Sequence, residues 1–175
     1  MRYRRSDIQG GSYFFTVNLL ERERTLLVDQ VELLRSVVSK IKTNHPFTID
    51  AMIVLPDHLH AIWTLPEGDS NYAIRWRLIK AGFSHGLIGA ELCSKSRLKK
   101  RERGIWQRRY WEHLIRDDQD YARHVDYIHF NPVKHGYVSR ASEWPYSSIH
   151  RFIRNGILDM NWGAEAFDDS GYGER

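Results

Sequence analysis

Hydrophobic positions in this chain change their period along its length. Residues 13–19, Tyr-Phe-Phe-Thr-Val-Asn-Leu, follow a Gly-Gly pair and are rich in aromatic and β-branched side chains, the composition of a strand. Val31, Leu34, Val37, Val38 and Ile41 then recur at helical spacing, with Asp29 placed to cap a helix running to about Lys42. Two apolar runs, 48–55 and 58–65, flank Pro56-Asp57 and predict a hairpin; Pro66-Glu-Gly-Asp69 predicts a further turn. A helix is expected from Asn71 to about Ser84, and a short strand over 111–116. Asp117 or Asp118 is placed to cap a last long helix reaching Asn131, where Pro132 disturbs it. The Gly- and Lys-rich stretch up to Gly104 reads as a flexible insertion, and no period is legible after Tyr137.

The order strand, helix, strand, strand, helix, strand, helix begins with the six elements of a ferredoxin-like split βαβ unit. The expected class is therefore α+β, an antiparallel sheet with helices on one face. At 175 residues the chain has room for one domain, expected over 1–158, followed by an acidic tail over 159–175. A 42% apolar share with 13% aromatics excludes a disordered chain. The single cysteine, Cys93, excludes an internal disulfide and a cysteine-based zinc site. Its position in the insertion, without a motif around it, reads as a spare thiol. No apolar run approaches the ~18 residues of a membrane span, and no signal-like segment follows the first five residues. A soluble, cytoplasmic protein is expected.

Charge sharpens this picture. The formal net charge is only +4, but between Arg75 and Arg116 twelve basic residues face three acidic ones. The segment 159–175 reverses the balance, with five acids and one base. A local excess of that size is either a solvated loop or the footprint of a polyanion. Trp76, Trp106, Tyr110 and Trp111 are interleaved with it and favour single-stranded nucleic acid, whose bases stack on aromatic faces. Trp106 is expected to be core rather than a stacking platform. Arg75, Arg77, Arg108 and Arg109 are the candidates for phosphate or base contacts. The acidic tail is expected to fold over the basic groove and compete with DNA.

Candidate chemistry lies in two places. On a strand, His58 and His60 share one face with Ile62 and Thr64, so both imidazoles can reach one metal ion. On spacing alone the pair reads equally as polar positions of a solvated sheet face. In the last helix, at about 100° per residue, Tyr121, Val125 and Ile128 form a core stripe. Asp120, His124, Tyr127 and Asn131 form a second stripe beside it, with Tyr127 and Asn131 one turn apart. Tyr121 belongs to the buried stripe, so Tyr127 is the better candidate for chemistry. The bland reading makes Tyr127 a rim aromatic and Asn131 a cap before Pro132. A cation held by two imidazoles and an oxygen ligand can act as Lewis acid on a phosphate oxygen. Attack by a tyrosine oxygen would then leave a phosphotyrosyl link, which conserves the bond for rejoining, as water attack could not. Imidazole with amide oxygen suits Mn²⁺ or Mg²⁺; histidines alone would favour zinc.

Leu55-Pro-Asp-His-Leu-His60, followed by Asp126-Tyr-Ile-His-Phe-Asn-Pro-Val-Lys-His-Gly136, resembles the HUH (His-hydrophobe-His) single-tyrosine transposases. The likeness is strongest to their REP-associated branch, which serves repetitive extragenic palindromes. Gly10-Gly-Ser-Tyr-Phe-Phe-Thr-Val-Asn18, Arg75-Trp-Arg77, Ile105-Trp-Gln107, Tyr110-Trp-Glu-His113 and Trp144-Pro-Tyr-Ser-Ser148 support it, so it spans residues 3 to about 162. The resemblance implies an HUH fold and metal-dependent cleavage of single-stranded DNA near a hairpin, through a 5′-phosphotyrosine intermediate. It implies His58 and His60 as metal ligands, Tyr127 as nucleophile and Asn131 as third polar ligand, where related insertion-sequence transposases carry glutamine. The cation would be Mg²⁺ or Mn²⁺, the partner a DNA hairpin, and the protein a monomer or homodimer. The stretch 86–104 is longer than the family pattern. Two other readings stay open: a zinc hydrolase with His113 or His124 as third ligand, and a non-catalytic nucleic-acid-binding module on the same fold.

Overall fold

The structure, a computed structural model, describes residues 7–89, 95–99 and 102–163. Its strands are β1 (Ser12–Asn18), β2 (Thr48–Val54), β3 (His58–Thr64) and β4 (Trp111–Leu114). Its helices are α1 (Leu26–Asp29), α2 (Val31–Asn44), α3 (Tyr72–Gly86), α4 (Lys95–Lys99), α5 (Asp118–Lys134) and α6 (Ile149–Arg154). The four strands form one sheet in the order β2-β3-β1-β4, with every neighbouring pair antiparallel. Two crossover units are thus interleaved, as the ferredoxin-like expectation requires. Among the described residues, no helix is long and apolar enough to cross a membrane.

Strand alternation sends the side chains of the two central strands to two different environments. Tyr13, Phe15 and Val17 of β1 and Leu59, Ala61 and Trp63 of β3 face a large core closed by Leu34 and Val38 of α2 and Tyr72, Trp76, Ile79 and Phe83 of α3. Trp63 and Trp76 stack there, 4.0 Å between centroids and 15° between planes. The crossover helices therefore cover one face, as expected. Helix α2 approaches α3 closely: a Cβ on Gly82 would lie 2.9 Å from Val37 Cγ1. The opposite face carries Phe14, Ala51, Ile53 and Ile62 and is covered by Val125, Tyr127 and Ile128 of α5. That second cover is what makes β3 buried on both sides, its histidines included.

Local chemistry sets the ends of α5. The Asp117 side chain accepts a hydrogen bond from the Asp120 amide at 2.8 Å, and acidic residues fill the first turn. Pro132 does not end the helix, because it sits in the last turn, where the His135 amide still reaches the Asn131 carbonyl at 3.0 Å. The helix ends at Lys134, and the chain turns away at Gly136, whose φ of +71° suits glycine. Asp29 is not the cap of the long helix. It closes the short helix α1 and accepts from the Thr25 hydroxyl at 2.6 Å, while α2 begins after Gln30 without a side-chain cap. Part of the expected flexible insertion is helix α4; residues 90–94, 100 and 101 lie outside the described residues.

The region without a legible period closes an edge of the sheet. The Val54 amide donates to the Tyr146 carbonyl at 2.9 Å, and the Ser148 amide donates to Met52 at 2.8 Å. The Ser148 hydroxyl accepts from the Met52 amide, and Trp144 Nε1 donates to the Val54 carbonyl, both at 2.9 Å. The Trp-Pro-Tyr-Ser-Ser segment thereby satisfies backbone groups that an edge strand would expose. Residues 159–163 continue onto this body, with Ser142 bonded to the Met160 carbonyl and Gly163 against Phe130. The acidic tail beyond 163, and its expected contact with the basic groove, lie outside the described residues.

Arg75 corrects the reading of the basic segment. It is 2% exposed, and its guanidinium donates to the carbonyls of His45, Pro46 and Asn71 and to the Asp69 carboxylate. A side chain so engaged ties α3 to the chain entering β2 and offers nothing to DNA. Arg75→Ala removes the shared donor of these carbonyls and of Asp69 and is expected to cost about 3 kcal/mol of stability. Urea denaturation checks this; the folded fraction should bind DNA with unchanged affinity.

Candidate functional site

The α5-covered face of the sheet gathers the chemistry. His58 and His60 point to it two residues apart, 1% and 0% exposed, with ring centroids 4.9 Å apart. Burial of two imidazoles in a central strand demands partners for their polar atoms. His58 Nδ1 lies 2.7 Å from Asp57 Oδ1, and His60 Nδ1 lies 2.9 Å from the Thr16 hydroxyl on the neighbouring strand. Arg22 pairs with the same Asp57 carboxylate and donates to Asn18 at 2.9 Å. Burial alone would raise the Asp57 pKa, but His58 and Arg22 hold it below the usual carboxylate range. The Asp57 carboxylate accepts from His58 Nδ1, which leaves the lone pair on Nε2, the tautomer that metal-binding histidines need; the Thr16 hydroxyl can pair with either form of His60. Thr16, Asp57 and Arg22 were not among the expected site residues.

Helix α5 lays Tyr127 against this pair. Its ring centroid is 5.2 Å from that of His60 at 70°, edge to face. The Phe14 ring packs 5.9 Å away, edge to face, and Lys134 Nζ stands 5.0 Å from the centre of the Tyr127 ring. One turn further on, Asn131 is completely buried, and neither atom of its amide has a hydrogen-bond partner. An amide left so costs about 1–3 kcal/mol unless something ligates it. Two buried imidazoles and an orphaned carboxamide are a donor set that fits a divalent cation. His135, at the end of α5, adds a third imidazole 5.4 Å from His58. Tyr121 is half-buried against the α5 side of the sheet, where burial raises its pKa.

His113 and His124 do not join His58 and His60. They meet at Asp120 instead, and the Phe14 ring packs 4.7 Å from His124 and 5.6 Å from His60. Among the described residues, His113, Asp120 and His124 make the only group of three His, Cys, Asp or Glu ligands within reach of one ion. A three-histidine zinc hydrolase built on His58 and His60 with either of them is thus not assembled.

The remaining basic candidates lie elsewhere. Arg77, exposed on α3, and Arg108 line a cleft of about 740 Å³ together with Lys80 and Tyr110, on the side of the sheet away from Tyr127. Arg108 pairs with Glu102 at 2.8 Å, and Arg109 is exposed just before β4. Lys80 donates to the Gln107 carbonyl, and burial lowers its pKa to about 8. Trp76 and Trp106 are core, as expected of Trp106; Trp111 is the exposed aromatic, stacked on His113.

No protein-family model matches the chain. The REP-associated tyrosine transposase of Escherichia coli (strain K12) is 47% identical over 173 residues, covering 99% of this chain and 96% of the relative. The chain belongs to the REP-associated tyrosine transposases. A relative in Haemophilus influenzae given the same family designation is 48% identical, with 92% of each chain covered. The solved structure of a REP-associated tyrosine transposase bound to a REP hairpin superposes with a TM-score of 0.85 at 46% identity. It covers 100% of this chain and 98% of that one. As a REP-associated tyrosine transposase, the protein has its expected fold class established by this likeness, and a divalent cation follows from the family.

The hydrogen bonds behind the histidines yield a test. Asp57→Asn keeps the shape of the turn but removes the charge that orients His58. Mn²⁺ affinity, measured by calorimetry, should fall about 10–100-fold. Unchanged affinity would separate Asp57 from the site.

Proposed function

We propose that this transposase cleaves and rejoins single-stranded DNA at hairpin-forming palindromic repeats, with Tyr127 as the nucleophile. The observation that carries the reading is the approach of the Tyr127 ring to His60, at 5.2 Å, on the face that also holds His58. His58, His60 and Asn131 would hold the cation, Mg²⁺ or Mn²⁺, whose chemistry is to polarise a non-bridging phosphate oxygen. The phenolic oxygen of Tyr127 attacks phosphorus, and the bond from phosphorus to the 3′ oxygen breaks. One strand leaves as a 3′-hydroxyl, which gains a proton as the phenol loses one; the other stays on Tyr127 through its 5′ phosphate. Attack by another 3′-hydroxyl reverses the step and joins a new pair of ends. Lys134, 5.0 Å from the centre of the phenol ring, would add positive charge near the phosphate that approaches it. Phe14 and the body of α5 keep bulk water from the tyrosine.

The relative solved with a REP hairpin supports such a hairpin as this chain's substrate. Arg77, Arg108 and Arg109 are the basic side chains we assign to DNA, as phosphate contacts that set position rather than sequence. Trp111, 44% exposed beside the site, offers a face on which a base can stack. Tyr127 and the two histidines meet within one chain, an arrangement that a monomer or a homodimer would each carry. Chromosomal palindromes as substrate imply action in the cytoplasm.

The test is incubation of the full chain with a single-stranded hairpin oligonucleotide and Mn²⁺, read on a denaturing gel. The native protein should yield a covalent protein–DNA band that a chelator prevents. Tyr127→Phe should lose that band entirely while binding the hairpin within about threefold of native affinity. A variant that still forms the adduct would overturn the assignment, and one that cleaves without an adduct would point to water as nucleophile.

A further inference from the structure

His113 on β4 and Asp120 and His124 on α5 form a cluster that the transposition chemistry above does not use. Their side chains are 19%, 7% and 8% exposed. One ligand atom from each lies within 4.8 Å of the others. His113 Nε2 is 2.8 Å from Asp120 Oδ2, and His124 Nδ1 is 3.1 Å from Asp120 Oδ1. The two imidazole rings stack, 4.7 Å apart and 18° from parallel. This pairing of two imidazoles with one carboxylate, drawn from two elements and largely shielded from water, is a donor set for a first-row transition ion.

We propose that His113, Asp120 and His124 form a second metal site, selective for Zn²⁺ or a similar transition ion, distinct from the His58–His60 site. The ring of Phe14 packs against both imidazole sets and keeps them apart. The two sites differ in chemistry as well as place. His58, His60 and the Asn131 amide suit a hard ion with open positions, whereas two imidazoles and a carboxylate suit Zn²⁺.

Hydrogen bonds alone also satisfy the cluster. The Arg116 amide donates to Asp120 Oδ2 at 3.1 Å, and His124 Nδ1 reaches the Asp120 carbonyl at 2.8 Å. An ion would take the place of these N–H contacts, each ring carrying its proton on the other nitrogen. It would also bolt β4 to the first turns of α5, one turn ahead of Tyr127. The site is thus a structural clamp on the helix that carries the nucleophile.

Metal stoichiometry tests this without any activity measurement. The full chain, stripped of metal, is titrated with Co²⁺ while the visible d–d absorption is followed. The native chain should take up two equivalents, and His58→Gln/His60→Gln should keep one. Zn²⁺ should raise the thermal midpoint of that double variant by several degrees. Adding His113→Gln, or in a separate protein Asp120→Asn, should weaken the remaining equivalent at least tenfold. If the double variant takes up no Co²⁺, the proposal fails. It also fails if that variant's uptake is unchanged by both further substitutions, since the ion then sits elsewhere.

Discussion

The constraint on which the rest of the structure turns is the burial of two imidazoles in a central strand. His58 and His60 lie under α5 with almost no contact with solvent, and a buried ring with an unsatisfied N–H would be costly. Asp57 and Thr16 remove that cost by pairing with Nδ1 of each ring, and the Asp57 carboxylate also decides which nitrogen of His58 carries the lone pair. Asp57 is in turn held by Arg22, from the chain that follows β1. Folding stability and the His58 tautomer needed for metal binding therefore depend on the same few hydrogen bonds.

The ferredoxin-like sheet separates two tasks between its faces. One face is a dense aromatic core between the sheet and α2 and α3, with the Trp63–Trp76 stack near its centre. The other holds polar groups at a cost that the first face offsets. Asn131, buried and without hydrogen bonds to its amide, is the clearest sign of that trade, since only a ligand makes such a placement favourable. Helix α5 serves both purposes, closing the second core with Val125 and Ile128 while presenting Tyr127 to the histidines. The Trp144–Ser148 segment lies along β2, so the outer strand does not end in exposed backbone groups.

Much of this was legible in the order of residues. The period-two pattern around His58 placed both histidines on one face; the helical angle put Tyr127 on another stripe than Tyr121 but assigned burial to the wrong one, since Tyr127 is 3% exposed and Tyr121 only half-buried. The hairpin at Pro56-Asp57 and the cap at Asp117 also followed from local chemistry. What escaped depended on tertiary context. Arg75 carries the same charge as Arg77, and only the fold shows three carbonyls converging on it. Arg22 is far from Asp57 along the chain, so no local pattern links them. Asp29 had the right type for a cap, but a one-turn helix ahead of α2 used it instead. Ser148, which bonds both Met52 and His129, reads as a turn residue until β2 lies beside it. His113 and His124 pair with Asp120 rather than with His58 and His60, and only the fold shows Phe14 between the two sets.

The central claim is that the phenolic oxygen of Tyr127 acts on DNA phosphorus beside the His58–His60 pair. Mass spectrometry of proteolysed protein, recovered after reaction with a hairpin oligonucleotide and Mn²⁺, addresses it most directly. The account predicts a single modified peptide, covering α5, with the nucleotide 5′ phosphate on Tyr127. A nucleotide mapped to Tyr121 or to any residue outside α5 would contradict it.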